Sequence, residues 1–268
     1  MAFGPIEMSV GHMDQDLSGR GIVLRHGLPS SLESLSLFED ISSKSPEVEE
    51  VGEVYGTDAF RSSSIQVLDG LAGRAVNLKH LSVSFLSDAM NCFKFPAGAL
   101  PNLQSLAITS QEHLQPNDWK VRRILLDAAT AVTKLPKLQI MELWNCEKGH
   151  AAILRYEAAE TVRSRTCELT WRSSWYSTKS TIGAEVIEAW EHAAHESSRQ
   201  LTFVLDPLPP APYSHYGAIL RHLKLRDYIL DPVTAMQVRV GIDEEDQPEV
   251  PVWRASVPYS PLRDQQVT

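Results

Sequence analysis

Apolar and polar residues alternate in four short segments that share one spacing. Leu32-x-x-Leu35-x-Leu37, Leu78-x-x-Leu81-x-Val83, Leu103-x-x-Leu106-x-Ile108 and Leu138-x-x-Met141-x-Leu143 each end in an apolar pair two residues apart. A period of two predicts a short strand with one buried face, and the leading leucine closes the turn into it. Leu28-Pro29, Leu100-Pro101 and Leu135-Pro136 introduce three of the copies. The copies begin 46, 25 and 35 residues apart. Regular leucine-rich units run about 20–29 residues, so only one interval conforms and the others need longer insertions.

Between strands the period lengthens to that of a helix. In residues 122–134, Leu125, Ala128, Ala129 and Val132 form one apolar stripe, and Pro136 stops the helix before the next strand. Strand, helix and strand in succession predict an α/β fold, an irregular leucine-rich-repeat-like parallel sheet backed by helices. Farther on, Cys167, Leu169 and Trp171 alternate with polar residues as a half-buried strand, and residues 151–157 fit either its hairpin partner or a helix. Residues 182–197 read as a helix with Ile182, Val186, Ala189, Trp190 and Ala193 on one face, and Leu201, Phe203 and Leu205 as another strand. The proline-rich run 206–212 is extended. A helix over 214–225 and a segment opened by Asp231-Pro232 complete a helical C-terminal cap on the open end of the sheet. The expected organisation is an N-terminal segment, 1–27, a repeat-like domain, 28–242, and a disordered tail, 243–268.

Charge changes this picture little. The net charge is −9, but Glu39, Asp40, Glu47, Glu49, Glu50 and Glu53 against Lys44 carry −5, and Asp243, Glu244, Glu245, Asp246 and Glu249 carry another −5. The body is nearly neutral and has no dominant basic stripe, so nucleic acid is not an expected partner. The densest basic stretch, 221–226, is interleaved with leucines and suits an amphipathic surface helix. No apolar run is long enough to cross a membrane. Cys92, Cys146 and Cys167 are too widely spaced for a disulfide framework or a zinc site, which points to a cytoplasmic or nuclear compartment.

The segments VIEAWEHAA (186–194), VLDPLPPAPYSHYGAILRHLKLR (204–226) and DPVTAMQV (231–238) resemble a family of fungal proteins of unknown function associated with F-boxes and a degenerate leucine-rich region. The resemblance spans residues 28–242. It implies the substrate-recognition subunit of a Skp–cullin–F-box ubiquitin ligase, with a Skp-type adaptor as one partner and an unidentified protein target as another. Residues 1–27 are too short and polar to hold an F-box, so the expectation is a truncated product or a relative without the docking element.

Catalytic patterns do not emerge. His192, His195 and Glu196 spell HAAHE, which is the wrong order for the zinc-hydrolase motifs, although Glu188, His192 and His195 share a helix face that could present a metal. Cys146, beside Trp144, reads as a buried thiol rather than a nucleophile. The expectation is therefore a non-catalytic protein-binding scaffold with no metal or cofactor, the alternative being an enzyme with an unrecognised site on the same scaffold. Two surfaces are candidates for partner binding. One is the outward row of the repeat strands: Ser34, Ser36, His80, Ser82, Ser84, Gln104, Ser105, Ala107 and Thr109. The other is the stretch 171–177, where Arg172, Trp175 and Tyr176 offer the side chains that dominate interface energy, while Trp171 and Trp190 join strand to helix in the core.

Overall fold

The alternating apolar pairs of the four motifs stack in register across one sheet. The structure is a computed structural model and describes residues 6–9, 29–38, 71, 76–85, 88–110, 114–116, 118–147, 149–160, 165–175, 182–209, 213 and 216–230. Its strands are β1 (Ile6–Ser9), β2 (Ser34–Phe38), β3 (His80–Ser84), β4 (Ser105–Thr109), β5 (Ile140–Glu147), β6 (His150–Glu160), β7 (Arg165–Ser173) and β8 (Gln200–Leu205). They form an eight-stranded sheet in which each strand lies beside its neighbour in sequence. Pairing is parallel from β1 to β5 and again between β7 and β8. Only β6 runs the other way, so residues 151–157 form a strand antiparallel to both neighbours. Gly149, at φ +81°, supplies the left-handed residue in the turn from β5 to β6. Ile6–Ser9, expected to lie outside the domain, adds the edge strand β1.

One face of the sheet is apolar throughout. Leu35, Leu81, Leu106, Met141, Tyr156, Leu169 and Phe203 make one row, and Leu37, Val83, Ile108, Leu143, Leu154, Trp171 and Leu205 the next. The leading leucines Leu32, Leu78, Leu103 and Leu138 are buried in the same core. Helices α1 (Ala89–Cys92), α2 (Trp119–Thr133) and α3 (Ala184–Glu196) contribute to it. Asp118 caps α2 by accepting from the Lys120 N–H at 2.8 Å. The predicted stripe of α2 is the buried one, and α3 buries Val186, Trp190, Ala193 and Ala194. Arg122 and Glu185 tie the two helices at 2.7 Å. Full burial of each such leucine is worth about 1.5–3 kcal/mol, so this layer carries much of the stability.

The turns entering the strands repeat as well. The carbonyls of Glu33, Lys79 and Gln104 each accept two N–H groups from the next copy: Lys79 and His80, Gln104 and Ser105, Gln139 and Ile140. Asn77 and Asn102, one residue before their leading leucines, donate to the carbonyls of Ser30 and Val76, 2.8 and 2.7 Å away. The same side chain thus makes the same bond in consecutive copies.

The C-terminal elements depart from expectation. Residues 216–230 hold only two single turns, α4 (Gly217–Leu220) and α5 (Arg226–Ile229), in place of a helix over 214–225. They do not close an end of the sheet. They lie across its second face as a roof, burying Tyr216, Ile219, Leu220, Leu223, Leu225 and Ile229 with Ala107, Trp144, Cys146, Ala151 and Ile153. The leucines of the basic stretch therefore point into a second core. Asp231-Pro232, the two acidic runs and the tail 243–268 lie outside the described residues. No helix among the described residues is long and apolar enough to cross a membrane.

Candidate functional site

The roof decides what the sheet's second face can do. Its rows are Ser34, His80, Ser105 and Ile140; then Ser36, Ser82, Ala107, Glu142, Arg155 and Thr170; then Thr109, Trp144, Ile153 and Arg172. A solvated row was expected here, but Ser82, Ser84, Ser105, Ala107 and Thr109 are buried, because small side chains leave room for a packed segment above them. Ser36 Oγ donates to the Ile229 carbonyl of the roof at 2.9 Å. Thr109 Oγ1 accepts from the Phe85 N–H at 2.7 Å. That bond supports Phe85 at φ +62°, a costly conformation for an aromatic residue, and the ring packs on Phe38, Trp144 and Tyr216. Gln104 stands one residue before β4, half-buried, with its carbonyl in the repeating turn. His80 stays half-open at the edge: its Nδ1 shares a 2.8 Å hydrogen bond with Ser105 Oγ, and its ring stacks on Tyr228 at 4.4 Å. Burial first, and then Lys79, hold the His80 pKa below its ordinary value.

Polar side chains fasten the roof. Glu142, on β5, is fully buried. Its Oε1 accepts from Arg155 Nε at 2.6 Å and from the Lys224 N–H at 3.0 Å, and its Oε2 from the Leu225 N–H at 2.9 Å. Arg155 Nη2 then donates to the His222 carbonyl at 2.6 Å, with Arg172 Nη1 at 3.4 Å from the same oxygen. Lys224 Nζ pairs with Glu157 at 2.6 Å. Four side chains of the sheet thus grip one short stretch of the roof. Burial, then Arg221, Arg172 and Arg155, press the His222 pKa down to about 4, against a smaller opposing effect from Asp206.

The second expected surface is partly open. Trp175 is half-buried and stacks on His150 with centroids 3.7 Å apart, and Arg172 pairs with Asp206 at 2.8 Å. Leu205, at the end of β8, is exposed. Because β7 and β8 are parallel, these groups share one end of the sheet. Tyr176 lies outside the described residues. Trp171 and Trp190 are core residues.

The candidates for chemistry lie apart. Glu188, His192 and His195 are exposed on α3, where His192 reaches Glu196 at 3.2 Å. Cys146 is buried, with its thiol 3.8 Å from the Tyr213 carbonyl. Among the described residues no group of three or more His, Cys, Asp or Glu side chains could hold a metal ion. On the helical side, burial pushes the Tyr156 pKa up to about 12 and raises that of Cys167.

Glu142, Arg155 and His222 did not stand out in the sequence. A lone Glu in the run Met141-Glu142-Leu143 reads as the polar position of an alternating strand. The available signal was an acid and a base, Glu142 and Arg155, on adjacent strands of a short hairpin.

The fold is an α/β arrangement of a mostly parallel sheet with helices on one face and an irregular segment on the other. A model of a family of unknown function, DUF6546, matches residues 27–231, and the chain belongs to that family. Strands β2 to β8, the three helices and the described roof residues 216–230 fall within the matched region, whereas β1 lies before it. No curated protein and no solved structure matches the chain.

Proposed function

We propose that the chain is a protein-binding scaffold of degenerate leucine-rich type that performs no reaction of its own. The observation that carries this reading is the register of the four motif copies. Leu35, Leu81, Leu106 and Met141 align across four consecutive parallel strands, and the turn bonds recur copy by copy. Stacked units of this kind bury a continuous core and present an extended surface. With most of the strand-face row under the roof, the contact surface assigned to a partner is the sheet end carrying Arg172, Trp175 and Leu205. An aromatic ring, a guanidinium and an exposed leucine there suit a protein interface. The roof, in this reading, is the terminal cap of the array, laid over a face. The resemblance to F-box-associated fungal proteins adds the role of substrate recognition in a cytoplasmic or nuclear ubiquitin ligase.

The test is affinity purification of the tagged full chain from fungal extract, beside Arg172→Glu and Trp175→Ala variants checked for folding by circular dichroism. A protein that is enriched by the parent chain and lost from both variants is the expected result, and a co-purifying Skp-type adaptor and cullin support the ligase role. Enrichment no greater than with the tag alone, or an unchanged set of proteins on both variants, would overturn the assignment.

A further inference from the structure

We propose that Arg172, Arg221 and His222 form a binding site for a phosphate-class oxyanion at the margin of the roof, an inference that does not depend on the scaffold reading. Three guanidinium groups converge on one residue. Arg155 and Arg172 approach the His222 carbonyl at 2.6 and 3.4 Å, while Arg221 Nε donates to the imidazole Nε2 at 3.2 Å. An imidazole that accepts at Nε2 carries its proton on Nδ1, so His222 keeps one N–H donor while Arg221 holds the other side of its ring.

The charges do not cancel. Glu142 is fully buried and already accepts from Arg155 and two backbone N–H groups. Asp206 faces Arg172 from a position 51% exposed, where solvent screens it. Lys224 and Glu157 neutralise each other at 2.6 Å. Among the described residues around His222, Arg155, Arg172 and Arg221 are therefore set against two carboxylates, a local excess of one positive charge in a chain of net charge −9. Paired guanidinium forks match the geometry and charge of a phosphate dianion better than those of a single carboxylate. Arg221 is exposed and His222 half-buried, so the anion has access from solvent. The neutral imidazole gains a proton more readily once a dianion sits beside it, which links binding to a rise in the His222 pKa.

The ligand is either free phosphate or a phosphoryl group on a side chain, and two probes separate these sources. Inorganic phosphate and N-acetyl-phosphoserine amide are titrated at low ionic strength into the full chain, with calorimetry and the His222 Cε1–H resonance as readouts. Saturable binding with Kd on the order of 1 mM is expected, accompanied by an upward shift of the His222 titration midpoint. Tighter binding of the phosphoserine probe assigns a protein-borne group, and equal or weaker binding assigns free phosphate. Arg221→Gln weakens binding by about tenfold, whereas Arg123→Gln, removing an exposed guanidinium on α2, leaves it unchanged. The proposal is overturned if neither probe saturates below about 50 mM, or if both variants lose affinity equally, the mark of general charge screening.

Discussion

Glu142 and Arg155 oppose each other across β5 and β6 with Oε1 2.6 Å from Nε, their side chains 0% and 8% exposed. Burying two charges costs desolvation energy, and the pair offsets it only because every remaining contact is also made. Here those contacts belong to the roof: the N–H groups of Lys224 and Leu225 on the acid, the His222 carbonyl on the base. The ion pair is thus the hinge between the sheet and the segment that covers it.

Breaking the pair from one side is expected to be severe. Glu142→Ala leaves a buried guanidinium and two amide donors unmatched, at a cost of about 3–5 kcal/mol in urea unfolding. The double variant with Arg155→Ala costs less than the two single changes added, by about 1–3 kcal/mol. Strict additivity would show that the side chains do not act as a unit.

The helical core should respond to volume. Leu106 is 1% exposed in the central row, and Leu106→Ala is expected to cost about 2–5 kcal/mol through lost burial and the cavity it leaves. Trp119 is 70% exposed at the start of α2, and Trp119→Ala should change stability by no more than about 0.5 kcal/mol. Thermal or urea unfolding of the two variants side by side checks the contrast.

Acid should weaken the fold through His222. Its pKa, held near 4, lies below the 6.5 of an unperturbed histidine, so between those values the unfolded chain binds a proton that the folded chain refuses. The contribution is complete above pH 6.5 and is lost as pH falls toward 4. His80 acts with the same sign. Unfolding free energies measured from pH 7 to 4 should fall less steeply in His222→Asn than in the parent. Parallel curves would place the acid sensitivity elsewhere.

The stack of Tyr228 on His80 makes a more local test. Burial is the main reason that the imidazole titrates low, and part of that cover is the Tyr228 ring 4.4 Å away. Tyr228→Ala should raise the His80 pKa toward its ordinary value in an NMR titration. A midpoint that does not move would assign the burial to the sheet alone.

The apolar layer was legible because period-two alternation reports directly which residues share a face. Leu35, Leu81, Leu106 and Met141 each sit in such a pattern, and so does the α2 stripe at its longer period. The direction of β6 was not legible, since the run from Ala151 to Glu157 satisfies strand and helix periods alike and alternation carries no polarity. The roof is hidden in the sequence for a related reason. Leu220, Leu223 and Leu225 fit one face of a helix as well as they fit two short turns pressed on a sheet. Small residues such as Ser82 and Ala107 look solvated in a sequence, yet they are also what a close-packed cover requires. Glu142 and His222 lie 80 residues apart in the chain, and no local pattern announces that they meet around Arg155.

Strand position from β2 to β5 is fixed by a few atoms at the head of each following strand, where one carbonyl holds two amides of the next copy, and at two of the three steps an asparagine spans the gap. The length of chain between strands is thereby uncoupled from their alignment, which is why copies spaced 46, 25 and 35 residues apart still stack in register. The connections are natural graft points. A sequence spliced between β2 and β3 that keeps Leu71, which is buried in the helical core, would inherit a fixed pair of anchors.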